Sequence, residues 1–122
     1  MNPVVHFEVA FDDKGRAMKF YQDVFGWKLM DMPEMKYVMA YTTEVDEKHM
    51  PREVAQINGG LMPRSPLGEQ CVIVMKVENV DASMARLKSA GGTEIMPKTQ
   101  IGDMGWYARA RDTEGNVIGV WE

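Results

Sequence analysis

A single cysteine, Cys71, in a chain of 122 residues leaves no partner for an intrachain disulfide and fits a reducing, cytoplasmic setting. It stands inside an apolar run, which reads as a buried, unreactive thiol. Long apolar stretches are missing as well. None approaches the roughly 20 residues that a membrane helix needs. The N-terminal run carries no basic flank and is interrupted by Glu8 and Asp12, so it does not read as a signal peptide. Positive charge is also short: 14 Lys and Arg against 18 Asp and Glu give a net charge of −4 and a pI of about 5.2. That balance excludes a surface built to neutralise nucleic-acid phosphates or to sit on an anionic membrane.

What is present is an internal repeat. Val5–Phe11 followed by Arg16–Gly26 recurs in outline as Cys71–Val77 followed by Asp81–Gly92. An offset of 66 residues pairs Gly26 with Gly92 and Met18 with Met84. The same offset sets His6 against Val72, so the two copies are chemically unequal. Two copies are too few for a solenoid and instead suit two modules facing a shared cavity. The stretch Met62-Pro63-Arg64-Ser65-Pro66-Leu67-Gly68 is the one linker-like segment, and it falls between them. The expected organisation is one domain, with module one over about 1–62 and module two over about 70–122.

Within each copy the period of the apolar residues changes. Val5, Phe7, Val9 and Phe11 alternate with Val4, His6, Glu8 and Ala10, the pattern of a strand with one face on a core. Ala17, Phe20, Tyr21 and Val24 then recur at helical spacing, and Gly26 ends that helix. Strands are predicted at 27–32, 36–43 and 55–62. The second copy opens with a strand over 71–77 and continues with a helix capped by Asp81 and ended by Gly91-Gly92. Strands at 94–97, 106–111 and 117–121 follow, the last after an Asp112–Asn116 turn. Each copy is therefore strand, helix and three strands. The fold class is α+β: paired βαβββ modules in curved mixed sheets around a cavity, with the helices outside. Phe7, Phe11, Phe20, Tyr21 and Phe25 are read as core.

This arrangement resembles the vicinal oxygen chelate superfamily, which contains glyoxalase I, the bleomycin-resistance proteins and the extradiol dioxygenases. The resemblance rests on His6-Phe7-Glu8, on Phe20-Tyr21-x-x-Val24-Phe25-Gly26-Trp27 and on Asn58-Gly59-Gly60-Leu61-Met62. It also rests on Val80-Asp81-Ala82 and on Asp112-x-Glu114-Gly115-Asn116-x-x-Gly119. The bacterial glyoxalase-related branch is the nearest in flavour. The resemblance implies four inward metal-ligand positions, on the first and last strands of each module. Here they fall on His6, on Gly59 or Gly60, on Val72 and on Gly119. One donor in four does not make a divalent-metal site, so no metal and no other cofactor is expected.

The remaining candidates each carry two readings. His6 and Glu8 share a strand face, as an acid–base pair or as a polar pair that satisfies itself. Gln56 and Asn58 are the donors nearest the fourth-strand ligand position. Trp106 and Trp121 either pack or line the cavity and stack on a planar ligand. Twelve methionines suit a lining for variable apolar ligands or serve as core filler. Arg109 and Arg111 are a solvated strand face or a carboxylate clamp. The expected function is binding of a small, partly apolar molecule in the inter-module cavity, in the manner of the bleomycin-resistance proteins, by a homodimer. The alternative is a lyase or dioxygenase-like enzyme using His6 and Glu8 with an absent metal or an atypical one held by His6, Glu8 and Gln56. A third reading is a ligand-free module whose cavity is filled by Met39 and Met62.

Overall fold

The computed structural model describes residues 1–122, and local sequence accounts for where its elements begin and end. Strand β1 spans Val4–Phe11 and helix α1 spans Lys14–Phe25. Asp13 caps α1 by accepting a 2.8 Å hydrogen bond from the Arg16 amide. Gly26 closes it in a left-handed conformation (φ 68°), its N–H donating to the Gln22 carbonyl. There follow β2 (Lys28–Met32), a single 3₁₀ turn at Pro33–Met35, β3 (Tyr37–Tyr41) and β4 (Asn58–Pro63). The second copy comprises β5 (Cys71–Lys76), α2 (Val80–Ser89), β6 (Thr93–Gln100), β7 (Trp106–Arg111) and β8 (Val117–Trp121). The fold is α+β, with the strand-helix-strand-strand-strand order twice over.

The chain divides into two compact units. The first is His6–Cys71; the second is Val72–Glu122 together with Met1–Val5. The leading residues join the second unit through the Pro3 carbonyl, which accepts a 2.9 Å hydrogen bond from the Lys76 amide. In the first unit the strands run in the order β2-β3-β4-β1, and in the second β5-β8-β7-β6. Each array is mixed. The first and last strands of a copy pair in parallel (β1 with β4, β5 with β8), while the middle strands pair antiparallel.

Alternation decides which face each helix covers. In the first unit Val38, Ala40 and Leu61 are fully buried, and Val9, Phe11, Leu29, Ala17, Met18, Tyr21 and Trp27 pack on them. The Tyr21 and Trp27 rings stack at 4.5 Å with their planes 12° apart, tying the helix to the chain that leaves it. In the second unit Val77, Val80, Met84, Ala108, Ala110 and Val120 form the core, joined by Met75, Leu87 and Ile118. Removing a fully buried side chain such as Leu61 to alanine costs about 2–5 kcal/mol.

Several expectations need correction. Asn79, not Asp81, caps α2, because its side chain reaches the Ala82 amide at 2.8 Å. Asp81 sits instead in the first turn and pairs with Lys98 at 3.2 Å. Strand β4 begins at Asn58 rather than residue 55, where Ala55 adopts a left-handed φ of 70° that cannot belong to a strand. Strand β6 runs on past Pro97 to Gln100, its register shifting on either side of Met96. Phe20 and Phe25 are not core. They are 53% and 59% exposed, because the arc of α1 that meets the sheet is Ala17, Met18 and Tyr21, and Phe20 lies about 100° round the helix from Tyr21. Cys71 is exposed rather than buried, since α2 covers its strand face only at Met75 and Val77 and leaves the first residues of β5 open.

Candidate functional site

The sheet face away from α1 carries the chemistry of the first unit. Because paired residues on neighbouring strands share a face, the register lays them out in rows. His6 pairs with Asn58 and Lys28 with Tyr41. One step along, Glu8, Gly60, Met39 and Met30 form a continuous row across four strands. Beyond it Met32 pairs with Tyr37 and Ala10 with Met62. Four methionines, two tyrosines, one histidine, one carboxylate and one amide thus line a single face.

Gly60 shapes its centre. A Cβ there would lie 1.9 Å from the Tyr37 hydroxyl oxygen, so the phenol ring occupies the space above the glycine. Crossing that gap, the Tyr37 hydroxyl reaches His6 Nε2 at 2.7 Å, with the two ring planes 19° apart. Burial holds the His6 pKa below its ordinary value, and the Glu8 carboxylate opposes this by a smaller amount. The imidazole is therefore neutral at pH 7 and keeps one acceptor nitrogen, the form a base or a ligand acceptor requires. Glu8 is buried two residues along the same strand face.

Asn58 is held by a different contact. Its Oδ1 accepts from the Thr42 amide at 2.9 Å, and an amide N–H can only donate, which fixes the orientation of the carboxamide. Its Nδ2 is buried with no hydrogen-bond partner. Gln56 does not join this face. It stands in the loop before β4, exposed, donating to Glu53 Oε2 at 2.8 Å and touching the Thr43 hydroxyl.

The two tryptophans belong to the second unit and lie on opposite faces of its sheet. Trp121 shares the face of Gly119, with the Lys76 ammonium 4.1 Å above its ring and its indole N–H donating to the Met104 carbonyl at 2.6 Å. Trp106 faces the α2 side, in phase with the core residues Ala108 and Ala110 and 5.2 Å from Lys98 Nζ. A cavity-lining role for Trp106 on the Gly119 face is thus excluded by strand phase. Arg109 donates from Nε to the Tyr107 hydroxyl at 3.0 Å, and Arg111 donates to the Gly115 carbonyl at 2.7 Å. Glu122 turns to the helix side, as alternation requires, and accepts from the Val80 amide at the start of α2 and from Lys98 at 2.6 Å.

Tyr37 is the site residue that reading the sequence passed over. Its signal was its phase, two residues from Met39 and four from Tyr41 on a strand. Its partner Gly60 lies 23 residues away, and only pairing of β3 with β4 brings them together.

At the positions where the resemblance places metal ligands, the two units offer little. In the first, Gly60 has no side chain and Tyr37 fills its place. In the second, Val72 is fully buried, and a Cβ on Gly119 would lie 2.6 Å from the Tyr107 hydroxyl oxygen. No three His, Cys, Asp or Glu side chains come together in the chain.

Comparison with known proteins agrees with this architecture. The sequence profile of the family described as bleomycin resistance protein-like N-terminal matches residues 4–42. The chain is 28% identical over 112 residues to the Mycobacterium bovis protein named "Putative glyoxylase CFP32". The match covers 90% of this chain but spans only 41% of that protein's length. Among solved structures, methylmalonyl-CoA epimerase of Streptomyces coelicolor superimposes with a TM-score of 0.66 at 15% identity, covering 98% of this chain and 93% of the epimerase. A glyoxalase/bleomycin resistance protein/dioxygenase superfamily member from Vibrio splendidus gives 0.62 at 13% identity, covering 98% and 97%. At such identities the two structures speak to the fold alone.

Proposed function

We propose that the chain is a member of the vicinal oxygen chelate superfamily, as its fold and its similarity to a glyoxylase-named relative and to the bleomycin resistance protein-like N-terminal profile support, and that the His6 face of its first unit binds a small, partly apolar molecule without a resident metal. The observation that carries the reading is the Tyr37 hydroxyl, 2.7 Å from His6 and seated over Gly60. A superfamily ligand position is thereby replaced by a hydrogen-bonded phenol–imidazole pair, and Met30, Met39 and Met62 supply an adaptable apolar lining around it. A divalent ion held by His6 alone would lack the three or more protein donors of a tight site. The donors present do not fit such an ion.

Elemental analysis of the purified protein, with calorimetric titration of Zn²⁺, Ni²⁺, Mn²⁺ and Fe²⁺, tests the metal half of this reading. Near-stoichiometric metal that is lost in His6→Ala overturns it. The binding half is tested by the melting temperature across a small-molecule library. A ligand at 100 times its Kd stabilises by about 2.7 kcal/mol, and His6→Ala and Tyr37→Phe should diminish that gain.

A second reading is supported by the half-buried, neutral His6 with the buried Glu8 beside it on the strand. This pair has the composition of a general base and the carboxylate that orients it. It is tested by turnover of 2-oxoaldehyde–thiol adducts and catechols, with His6→Gln as the control. For assembly we propose a homodimer, which would cover the exposed Phe20, Val24 and Phe25 of α1. A sedimentation mass of one chain at micromolar concentration rejects it.

A further inference from the structure

A pocket of about 320 Å³ opens at the Lys28 end of the same face, bounded by β2, β3 and the segment that follows β3. Met30 and Val45 form its apolar part, Tyr41 and His49 its polar rim, and Lys28 and Glu44 its mouth. Lys28 and Glu44 pair with each other at 2.7 Å, so the mouth carries no net charge and favours a neutral guest. An apolar cavity of about 150 Å³ holds a benzene ring, which sets the room here at one to two rings.

The polar rim is a second tyrosine–histidine pair. The Tyr41 hydroxyl lies 2.9 Å from His49 Nδ1, with the rings stacked at 5.7 Å. Desolvation raises the Tyr41 pKa, so the hydroxyl is a neutral phenol, and the contact with Nδ1 admits it as donor to the Nε2–H tautomer of His49. The imidazole proton then sits on Nε2, which makes no hydrogen bond within the chain.

The backbone beneath His49 is held in an uncommon state. His49 has a left-handed φ of 60°, a conformation that costs a residue with a side chain about 1 kcal/mol or more. The surrounding turn enforces it. Asp46 accepts from the Lys48 and Met50 amides at 2.8 and 2.9 Å, Val45 bridges to Pro51, and Arg52 Nε donates to the Val45 carbonyl at 2.8 Å. Glycine would relieve the strain but could not supply the ring against Tyr41.

We propose that this pocket seats the ring system of a neutral molecule of one or two rings, and that His49 Nε2–H donates to an acceptor oxygen on it. The inference rests on the reading that this face binds a small molecule, and adds the class of guest and where its body lies. The probe is 1-tetralone, a bicyclic ketone, compared with tetralin, which has the same body and no acceptor. Both are titrated into the protein labelled with ¹⁵N and with ¹³C at methionine methyls, and followed by NMR.

Tetralone should shift the Met30 methyl and the Tyr41 and His49 amides, and tetralin should bind about three- to tenfold more weakly. His49→Ala should bring tetralone down to the affinity of tetralin, and Val45→Trp should abolish both by filling the pocket. Equal affinities of the two probes for the native protein overturn the role of His49. Shifts confined to His6, Tyr37 and Met39 overturn the pocket while leaving the proposed binding face in place. No shift at millimolar tetralone overturns the pocket, and if the library also gives no thermal gain, the proposed function fails separately.

Discussion

Replacing Gly60 by alanine adds one methyl group in a place already taken. Its Cβ would lie 1.9 Å from the Tyr37 hydroxyl oxygen, 2.0 Å from Cζ and 2.3 Å from Cε1, where ordinary contact needs about 3.5–4.0 Å. The phenol end is the mobile part of that contact, so the ring should swing aside and the 2.7 Å bond to His6 should break. Leaving the half-buried imidazole without a partner costs about 1–3 kcal/mol. An alanine replacing glycine in an open strand position does the opposite, stabilising by about 0.5–1 kcal/mol. The perturbation therefore changes sign with its neighbour. Gly60→Ala should destabilise the native protein by about 1–3 kcal/mol, or roughly 3–5 °C of melting temperature for each kcal/mol at this chain length. In a Tyr37→Ala background the same change should be neutral or stabilising, giving a coupling of at least about 1 kcal/mol in a double-mutant cycle. Urea denaturation of the four proteins, with shared m-values, measures it. Equal costs in both backgrounds, or a stabilising Gly60→Ala alone, would refute the geometry.

Other outcomes follow from single contacts. His6 has its pKa lowered by burial, so the unfolded chain takes up a proton near pH 6.5 that the folded chain still refuses. Stability should therefore be full above about pH 6.5 and fall as the pH drops towards the folded value, and His6→Gln should flatten that slope in pH-dependent thermal scans. Cys71, being exposed, should react with Ellman's reagent in the native protein to one equivalent; a thiol reached only in denaturant would contradict the structure. Asn79→Ala should cost about 1 kcal/mol through loss of its bond to the Ala82 amide, while Asp81→Ala should cost clearly less, reversing the order expected of an Asp81 cap.

Much of the fold was legible because its causes are local. Alternation in Val4–Phe11 and helical spacing in Ala17 and Tyr21 report which side of each element meets a core, and Asp13 and Gly26 mark the helix ends. The misreadings share one origin. Phe20 and Cys71 carry the apolar character of a core position, yet whether a partner element extends over them depends on how far each helix reaches along its sheet. Trp106 needed the phase of β7, which Ala108 and Ala110 set by packing under α2. Gln56 needed the start of β4, which the left-handed Ala55 delays. That His6 and Glu8 share a face was legible from strand phase, and Asn58 was singled out as a donor near the fourth-strand position that the resemblance implies. Tyr37 was not, because what makes it a site residue is a glycine on another strand.

That pairing also explains how the two copies diverge. In the first unit Tyr37 stands two residues before Met39, whose cross-strand partner is Gly60, and its ring covers that glycine. In the second, Tyr107 stands two residues before Arg109, whose cross-strand partner is Gly119, and its ring covers that glycine likewise. The phenol-over-glycine device thus occurs once in each copy, at the same step of the ladder, although no run of identical residues announces it. What differs is the partner of the hydroxyl. The offset that carries the first strand of one copy onto the other places Val72 where the first has His6, and an isopropyl group can accept nothing. Tyr107 instead receives the Nε–H of Arg109, from its own strand. Where the first copy has a histidine and the second a valine, the phenol meets a neutral imidazole in the first and receives a guanidinium N–H in the second. The first copy keeps a proton acceptor, the second a fixed positive charge. A polar group that suits the proposed site of the first unit is one that the second, by its chemistry, would not bind in the same way.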